Sequence, residues 1–395
     1  MYTRKEYSLL IKRFKAENNL IQIIIGPRQT GKTTLALQIA EQYKDNYHYC
    51  TSDLPNPYST NWIEQQWETA RVLSKKSSKG TLLIMDEIQK IHNWSEAVKK
   101  LWDEDKRKKI NLKVLLLGSS ALLLQKGLTE SLAGRFELIK TNHWSFAEMK
   151  ECFNFDLDKY IYFGGYPSAV NLINDETRWS NYIKDSLIET TISRDIFLVT
   201  RIDKQQLFRQ LFKLGTHYSS QIVSYSKLLG QLIDAGNTTT LAHYLRLLES
   251  SGIIAGLQKY SASEIKKKSS SPKFLSLNNA LITSQSNFTF NEAKANKDFW
   301  GRLVENAIGA HLYSATLSSN LRLMYWREGS HEVDFILQNG KKIFALEVKS
   351  GRQRESIKGF DIFSQKYKPN KKLLVGGDGI PIEDFLLTPS EEWYI

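Results

Sequence analysis

Two stretches of this chain carry residue types whose spacing could do chemistry. The first is Gly26-Pro27-Arg28-Gln29-Thr30-Gly31-Lys32-Thr33, followed by Thr34, and it fits the pattern G-x-x-x-x-G-K-S/T. Glycine at both ends lets the backbone curl until successive N–H groups point inward at phosphate oxygens. A helix that begins there adds its positive end. In such a cradle Lys32 reaches the β- and γ-phosphates of ATP, and the Thr33 hydroxyl holds Mg²⁺. Further along, the apolar run Thr81–Met85 ends in Asp86-Glu87. Asp86 would orient the metal shell, and Glu87 would polarise the attacking water. Lys32 and Glu87 are therefore the candidate catalytic groups.

The second stretch lies between Glu332 and Lys349. Strands are expected over Glu332–Gln338 and Lys341–Lys349, joined by Asn339-Gly340, a strong two-residue hairpin signal. That loop sets Ile336 opposite Ile343 and Asp334 opposite Ala345. Asp334, Glu347 and Lys349 then share one face, with Asp334 and Glu347 diagonal neighbours roughly 7–8 Å apart. Ile336, Ile343 and Ala345 make that face otherwise apolar, and Val333, Phe335, Phe344, Leu346 and Val348 occupy the other. Two carboxylates and a lysine have no packing use in a doubly covered sheet, whereas a divalent cation gives them one. Glu305, within a helical pattern over Phe299–Tyr313, could approach the same cation. A salt-bridged pair at a sheet end, or a decayed site, would use the same residues.

These residues need elements to position them. Ile21–Ile25 is a short β-branched run, as a buried parallel strand should be, and Leu35, Ile39 and Tyr43 recur at helical spacing. Tyr47–Thr51, Thr81–Met85 and Lys113–Leu117 read as further strands, giving an α/β pattern. Ser119, after the last of these, could bond a γ-phosphate or merely end the strand. Arg135, in Ser131-Leu-Ala-Gly-Arg-Phe136, is a candidate phosphate sensor in cis or across the subunit boundary of an oligomer, or else a surface arginine.

Asp156 to Phe212 reads as helical, interrupted at Gly164-Gly165-Tyr166-Pro167. Tyr225–Leu232, a turn at 234–237, and Thr238–Ser251 read as helix, turn and helix. The second helix presents Leu241, Leu245 and Leu248 on one face, with Asn237 or Thr238 able to cap it and Gly252 to end it. Ile253–Leu257 and Gln258–Ser261 would follow as two wing strands, completing a winged-helix order. On nucleic acid, Thr239, Thr240, His243 and Arg246 would face the bases, and Lys266, Lys267 and Lys268 the phosphates. A winged helix can equally be a packing module. Thr283–Asp298, polar and rich in Asn and Ser, is expected to be a linker or an exposed loop.

The 395 residues exceed one hydrophobic core, and 41% hydrophobic with 24% charged residues is ordinary for a soluble protein. The net charge is +12, and residues 201–275 hold 11 Lys+Arg against 4 Asp+Glu, a pointer to nucleic acid. Two cysteines, no signal-peptide pattern and no membrane-length apolar run point to the cytoplasm.

GPRQTGKTT, LLIMDEIQK, LLLGSSALLL, SLAGRF and HWSFAEM, with the later YFGGYPSAV, WREGSHEVDFIL and ALEVKSG, resemble the ordered motifs of a group of prokaryotic AAA-superfamily ATPases. Those proteins carry a C-terminal domain of unknown function with a restriction-endonuclease-like end. Asp334 with Glu347-x-Lys349 resembles the Asp…Glu-x-Lys motif of that fold, with Glu305 as the helical glutamate of resolvase-like members. The resemblance implies an α/β chain of three parts: a P-loop AAA-type domain with a parallel sheet at 1–150, a helical and winged-helix domain at 151–275, and a restriction-endonuclease-like α/β domain at 276–395. It does not imply a settled biological role; the basic middle, the winged-helix order and the hairpin carboxylates add the expectation of an ATPase using ATP and Mg²⁺ that acts on DNA or RNA through 201–275 and 299–350, with no membrane partner. The alternative is an ATP-switched regulatory or binding protein whose nuclease-like fold does not cut.

Overall fold

The computed structural model describes every residue except 1, 17–18, 45, 54–58, 77–79, 119–127, 129–130, 198–201, 234–235, 262–269, 352–357 and 395. Ser119, Lys266, Lys267 and Lys268 lie outside the described residues, as does part of the 234–237 turn. The chain divides into two compact units, Met1–Asn142 and His143–Ile395. Among the described residues no helix is long and apolar enough to cross a membrane.

The first unit is a five-stranded sheet of β1 (Ile21–Ile25), β2 (Tyr47–Thr51), β3 (Thr81–Asp86), β4 (Leu112–Gly118) and β5 (Phe136–Lys140), in the order β2-β3-β4-β1-β5. Every pairing is parallel. Every residue of β1 and β3 is buried, so their apolar runs feed two cores rather than one. Ile21, Ile23, Ile25, Leu83 and Met85 pack on one face with Ile63 and Trp67 of α3 (Thr60–Ser74) and Val98 and Leu101 of α4 (Trp94–Lys108). Ile24, Leu82 and Ile84 pack on the other with Leu10 of α1 (Glu6–Lys15) and Leu35 and Ile39 of α2 (Lys32–Ala40). Trp67 is fully buried, and truncating such a side chain to Ala costs about 3–5 kcal/mol. The fifth strand has no counterpart in the sequence pattern because only Ile139 within it is fully buried. Parallel pairing gathers the ends of β1 and β3 at one edge of the sheet, where an open α/β sheet presents its loops.

The second unit carries a six-stranded mixed sheet, β11-β10-β9-β8-β6-β7. Its members are β6 (Ile254–Lys259), β7 (Lys273–Ser276), β8 (Arg322–Glu328), β9 (His331–Asn339), β10 (Lys342–Lys349) and β11 (Lys371–Gly376). Ahead of β6 come α5 (Gln205–His217), α6 (Tyr225–Leu229) and α7 (Thr238–Ser250), with a bridge from Ile222 to Lys273. Asn237 caps α7 by accepting the Thr240 N–H at 2.9 Å, and Leu241, Leu245 and Leu248 are buried as expected. Gly252 follows that helix at φ +71°.

Several expectations for this unit need correction. Ile253–Leu257 and Gln258–Ser261 are not two strands. Ile254–Lys259 is one continuous strand whose antiparallel partner is Lys273–Ser276, because the chain runs straight on through Gln258 to reach β8. Thr283–Asp298 is not a bare linker. Thr289 and Glu292 form a capping box that starts a helix at Phe290–Ala295, and Asn296 caps α8 (Lys297–Thr316). The boundary expected between 275 and 276 falls inside β7.

The hairpin register is also different. Ile343 faces Gln338 and Ala345 faces Ile336, a shift of two positions from the expected pairing. The turn is Gly340-Lys341, with Gly340 at φ +58° in its first central position, the geometry of a II′ turn rather than an Asn-Gly I′ turn. A shift of two preserves the face of every side chain on β10, so Glu347 and Lys349 stay on the side of Ile343 and Ala345. It also moves Asp334 from diagonal to level with Glu347, one step beyond the paired Phe335 and Leu346. Val333 lies on the Ile336 and Ala345 side, not with Phe335, because the strand is bulged. Met324 faces Ile336 but Trp326 faces Val333, so Tyr325 stands opposite both Asp334 and Phe335.

Candidate functional site

At the edge formed by β1 and β3, Gly26 turns the chain so close to Thr141 that a Cβ there would lie 2.1 Å from the Thr141 hydroxyl. Pro27, Arg28, Gln29 and Thr30 form the loop, and Gly31, at φ +86°, precedes α2. Thr30 is buried and donates its hydroxyl to the Pro27 carbonyl at 2.9 Å. Lys32 is 8% exposed and donates to the carbonyls of Gly26 at 2.9 Å and Pro27 at 2.7 Å. Its ammonium thus rests on the loop it would serve.

The Thr33 hydroxyl donates to Asp86 Oδ2 at 2.7 Å, uniting the two expected Mg²⁺ ligands. Tyr49 donates to the same oxygen at 3.2 Å, a contact that no motif announces. Asp86 Oδ1 accepts the Glu87 N–H at 2.9 Å. Glu87 itself has φ +55°, a left-handed conformation costing a non-glycine residue roughly 1–3 kcal/mol, and the Ser52 hydroxyl holds its carbonyl at 2.6 Å. Burial raises the Glu87 carboxyl above the ordinary range, with Lys90 opposing. Gln89 donates to its Oε2 at 2.8 Å. The hydroxyl–carboxylate pair, both hard oxygen donors, fits Mg²⁺, and the lysine on carbonyls fits a loop made for phosphate.

Arg135 is elsewhere. Its carbonyl accepts the Ile21 N–H, at the opposite end of β1 from Gly26. Five strand residues, roughly 15 Å, separate the two ends. Its guanidinium makes a two-pronged pair with Asp103 of α4 at 2.8 and 3.1 Å. A sensing role in cis is therefore corrected: the parallel register with β5 holds Arg135 at the wrong edge.

In the second unit, Asp334 Oδ2 accepts the Val348 N–H at 2.9 Å, and Glu347 Oε1 pairs with Lys349 Nζ at 3.2 Å. Glu347 is 8% exposed, and its Oε2 is buried without a hydrogen-bond partner. Burial lifts the Glu347 carboxyl to about 7, with the Asp334 charge adding to it. That orphaned oxygen beside Asp334 fits a cation.

Glu305 lies near Asp334, whose charge acts on its carboxyl. It is held by Lys273, which sequence reasoning missed. Lys273 is 1% exposed, and its Nζ lies 2.7 Å from Glu305 Oε1, 3.0 Å from Glu332 Oε1 and 3.4 Å from Asp334 Oδ1. Burial pulls the Lys273 ammonium down, but the three carboxylates outweigh it and hold it above the ordinary lysine value. Burial lifts Glu305 to about 8 against the pull of Lys273. Asn306, fully buried beside Glu305, exchanges hydrogen bonds with the Ser276 backbone at 2.7 and 3.0 Å and so clamps α8 to β7. The one available signal was a lone lysine opening the apolar run of β7. Among the described residues, no three His, Cys, Asp or Glu side chains converge as a metal-binding group. On α7, Thr239, His243 and Arg246 are exposed and Thr240 half-buried.

Residues 18–150 match a family model described as an AAA domain. Residues 154–292 and 300–390 match two domains of unknown function, DUF8612 and DUF4143. An uncharacterized protein of Methanocaldococcus jannaschii is 26% identical over 367 residues, covering 87% of this chain and 78% of its own. An uncharacterized protein of Haemophilus influenzae is 23% identical over 369 residues, covering 88% of this chain and 86% of its own. Among solved structures, the RuvB Holliday junction branch migration motor of Thermotoga maritima overlays at TM-score 0.34 and 19% identity, over 64% of this chain and 87% of that one. An overlay of that extent carries no functional argument. The sequence match and the parallel sheet together make residues 18–150 an AAA-type P-loop domain.

Proposed function

We propose that the chain binds and hydrolyses ATP at the glycine loop and applies the nucleotide state to nucleic acid through its second unit. The observation that carries the reading is the Thr33–Asp86 contact at 2.7 Å, beside a lysine resting on the loop carbonyls. Thr33 and Asp86 would hold Mg²⁺, which neutralises charge building on the transferring phosphoryl group. Lys32 leaves the Gly26 and Pro27 carbonyls for the β- and γ-phosphates, and the loop N–H groups from Gly26 to Thr34 bind their oxygens. Glu87 orients the attacking water as base, and its raised carboxyl is suited to accepting a proton. Arg135 serves only across a subunit boundary.

Helix, bridge strand, two helices and a strand pair, in the order α5, Ile222, α6, α7, β6 and β7, support a winged helix whose exposed Thr239, His243 and Arg246 meet nucleic acid. Asp334 and Glu347 would take a divalent cation, with Lys349 at the reacting phosphate, in a restriction-endonuclease-like domain. Incubating the chain with Mg²⁺ or Mn²⁺ and varied DNA and RNA tests this. Cleavage that disappears in Asp334→Ala supports it, and cleavage that persists there contradicts it. A second reading is favoured by Lys273, which already neutralises part of the acidic cluster: an ATP-switched binding protein with a silent nuclease-like fold. Salt-sensitive DNA binding with no cleavage under either metal would select it.

A further inference from the structure

The acidic cluster of the second unit has two halves. On one side Lys273 Nζ has three N–H donors and three carboxylates within reach, from Glu305 on α8 and from Glu332 and Asp334 on β9. It also approaches the Asp334 carbonyl at 3.3 Å, and it sits over the Phe335 ring at 5.1 Å. On the other side Asp334 Oδ2 accepts the Val348 N–H of β10, and Glu347 Oε2 is buried without a hydrogen-bond partner. Among the described residues, four carboxylates stand against the two ammonium groups of Lys273 and Lys349, so the cluster is short of positive charge. Glu305 Oε1 is likewise buried without a hydrogen bond, but it has the Lys273 ammonium at 2.7 Å, so the second cation position is sought beside Glu347 Oε2. The buried ammonium is delivered to the Glu305 side by β7, whose Ser276 is clamped to α8 by Asn306, so neither the lysine nor Glu305 has slack.

We infer that Lys273 is a resident cation that fills one of two adjacent cation positions, so that Glu305 and Glu332 bind the lysine and only the Asp334–Glu347 half admits a divalent ion. The inference deepens the metal reading proposed above for Asp334 and Glu347. It makes Lys273 a positioning residue: it fixes which carboxylates are left for metal.

The test is a count of Mn²⁺ bound per chain, by electron paramagnetic resonance on nucleotide-free protein, for the wild type and Lys273→Met. Both proteins carry the same glycine-loop unit, so its contribution cancels. Lys273→Met is expected to bind one more Mn²⁺ than the wild type, and the double variant Lys273→Met/Glu305→Gln to lose it again. Should Lys273→Met fold only when Mn²⁺ is supplied, by circular dichroism, the metal has replaced the ammonium and the inference stands. No gain in bound Mn²⁺, or a variant that Mn²⁺ leaves no better folded, overturns it. So does a loss of wild-type Mn²⁺ binding in Glu305→Gln, which would mean that the metal displaces Lys273. The metal reading is scored separately by the wild-type count. If the wild type binds none while Lys273→Met binds one, the Asp334–Glu347 reading fails, and with it the claim that this half admits a divalent ion, while Lys273 still stands as the cation of the other half.

Discussion

Lys32 and Lys273 are both buried at candidate sites, and they are held in different ways. Lys32 donates to two backbone carbonyls, Gly26 and Pro27, neutral acceptors that a phosphate oxygen can replace in kind. Lys273 sits among three carboxylates, and breaking a buried ion pair from one side costs roughly 3–5 kcal/mol. The first lysine can therefore move to an incoming phosphate at small cost, while the second stays where the fold puts it. Neighbouring groups follow the same division. The Thr33 hydroxyl and Asp86 carboxylate are an exchangeable pair suited to metal, whereas Glu305 is committed to an ammonium. A buried lysine is thus a working group or a structural counter-ion according to whether its partners are carbonyls or carboxylates.

The comparison breaks most visibly in turnover. Lys32→Ala should lower ATP hydrolysis by about 10²–10³-fold, the scale for removing one preorganised charge donor, with melting nearly unchanged. Lys273→Ala should do the reverse in metal-free buffer: the second unit loses roughly 3–5 kcal/mol by urea titration while ATP turnover persists. Equal effects of both variants on both measurements would erase the distinction. Next in size, saturating Mn²⁺ at about 100 times its dissociation constant should stabilise the second unit by about 2.7 kcal/mol, and Asp334→Ala should abolish that gain. The smallest effect is expected from Arg135→Ala. Hydrolysis by dilute monomeric protein should match the wild type, because Arg135 stands at the opposite sheet edge from the loop. A fall in turnover that is independent of protein concentration would contradict that placement.

Much of the first unit was legible because its chemistry is contiguous. Gly26 to Thr34 is one stretch, Asp86 and Glu87 follow one apolar run, and three of the five strands are apolar runs buried on two faces. The strand Phe136–Lys140 was hidden by its half-exposed side chains. The second site draws on β7, α8, β9 and β10, and sequence spacing reveals only contacts within one hairpin. Asp334, Glu347 and Lys349 were expected on one face; a register error of two residues preserves the pleat of β10, while the bulge at Asp334 and Phe335 breaks the alternation on β9. Their level was wrong, since Gly340 leads the turn instead of following it. Lys273 was invisible because its partners are remote in sequence and are met only when β7 joins the sheet. Arg135 stayed open between cis, trans and surface readings for a related reason: an arginine after a glycine does not disclose which edge of the sheet its strand starts from.

The most direct measurement pairs nucleotide binding with hydrolysis in Glu87→Gln. The amide keeps the shape of the side chain and its contact with Gln89 but cannot act as base. The variant should bind Mg-ATP as the wild type does, while its turnover falls by roughly 10²–10⁴-fold, the range for losing a general base. A variant that hydrolyses ATP at the wild-type rate, or a wild-type chain that binds no Mg-nucleotide, would contradict the account.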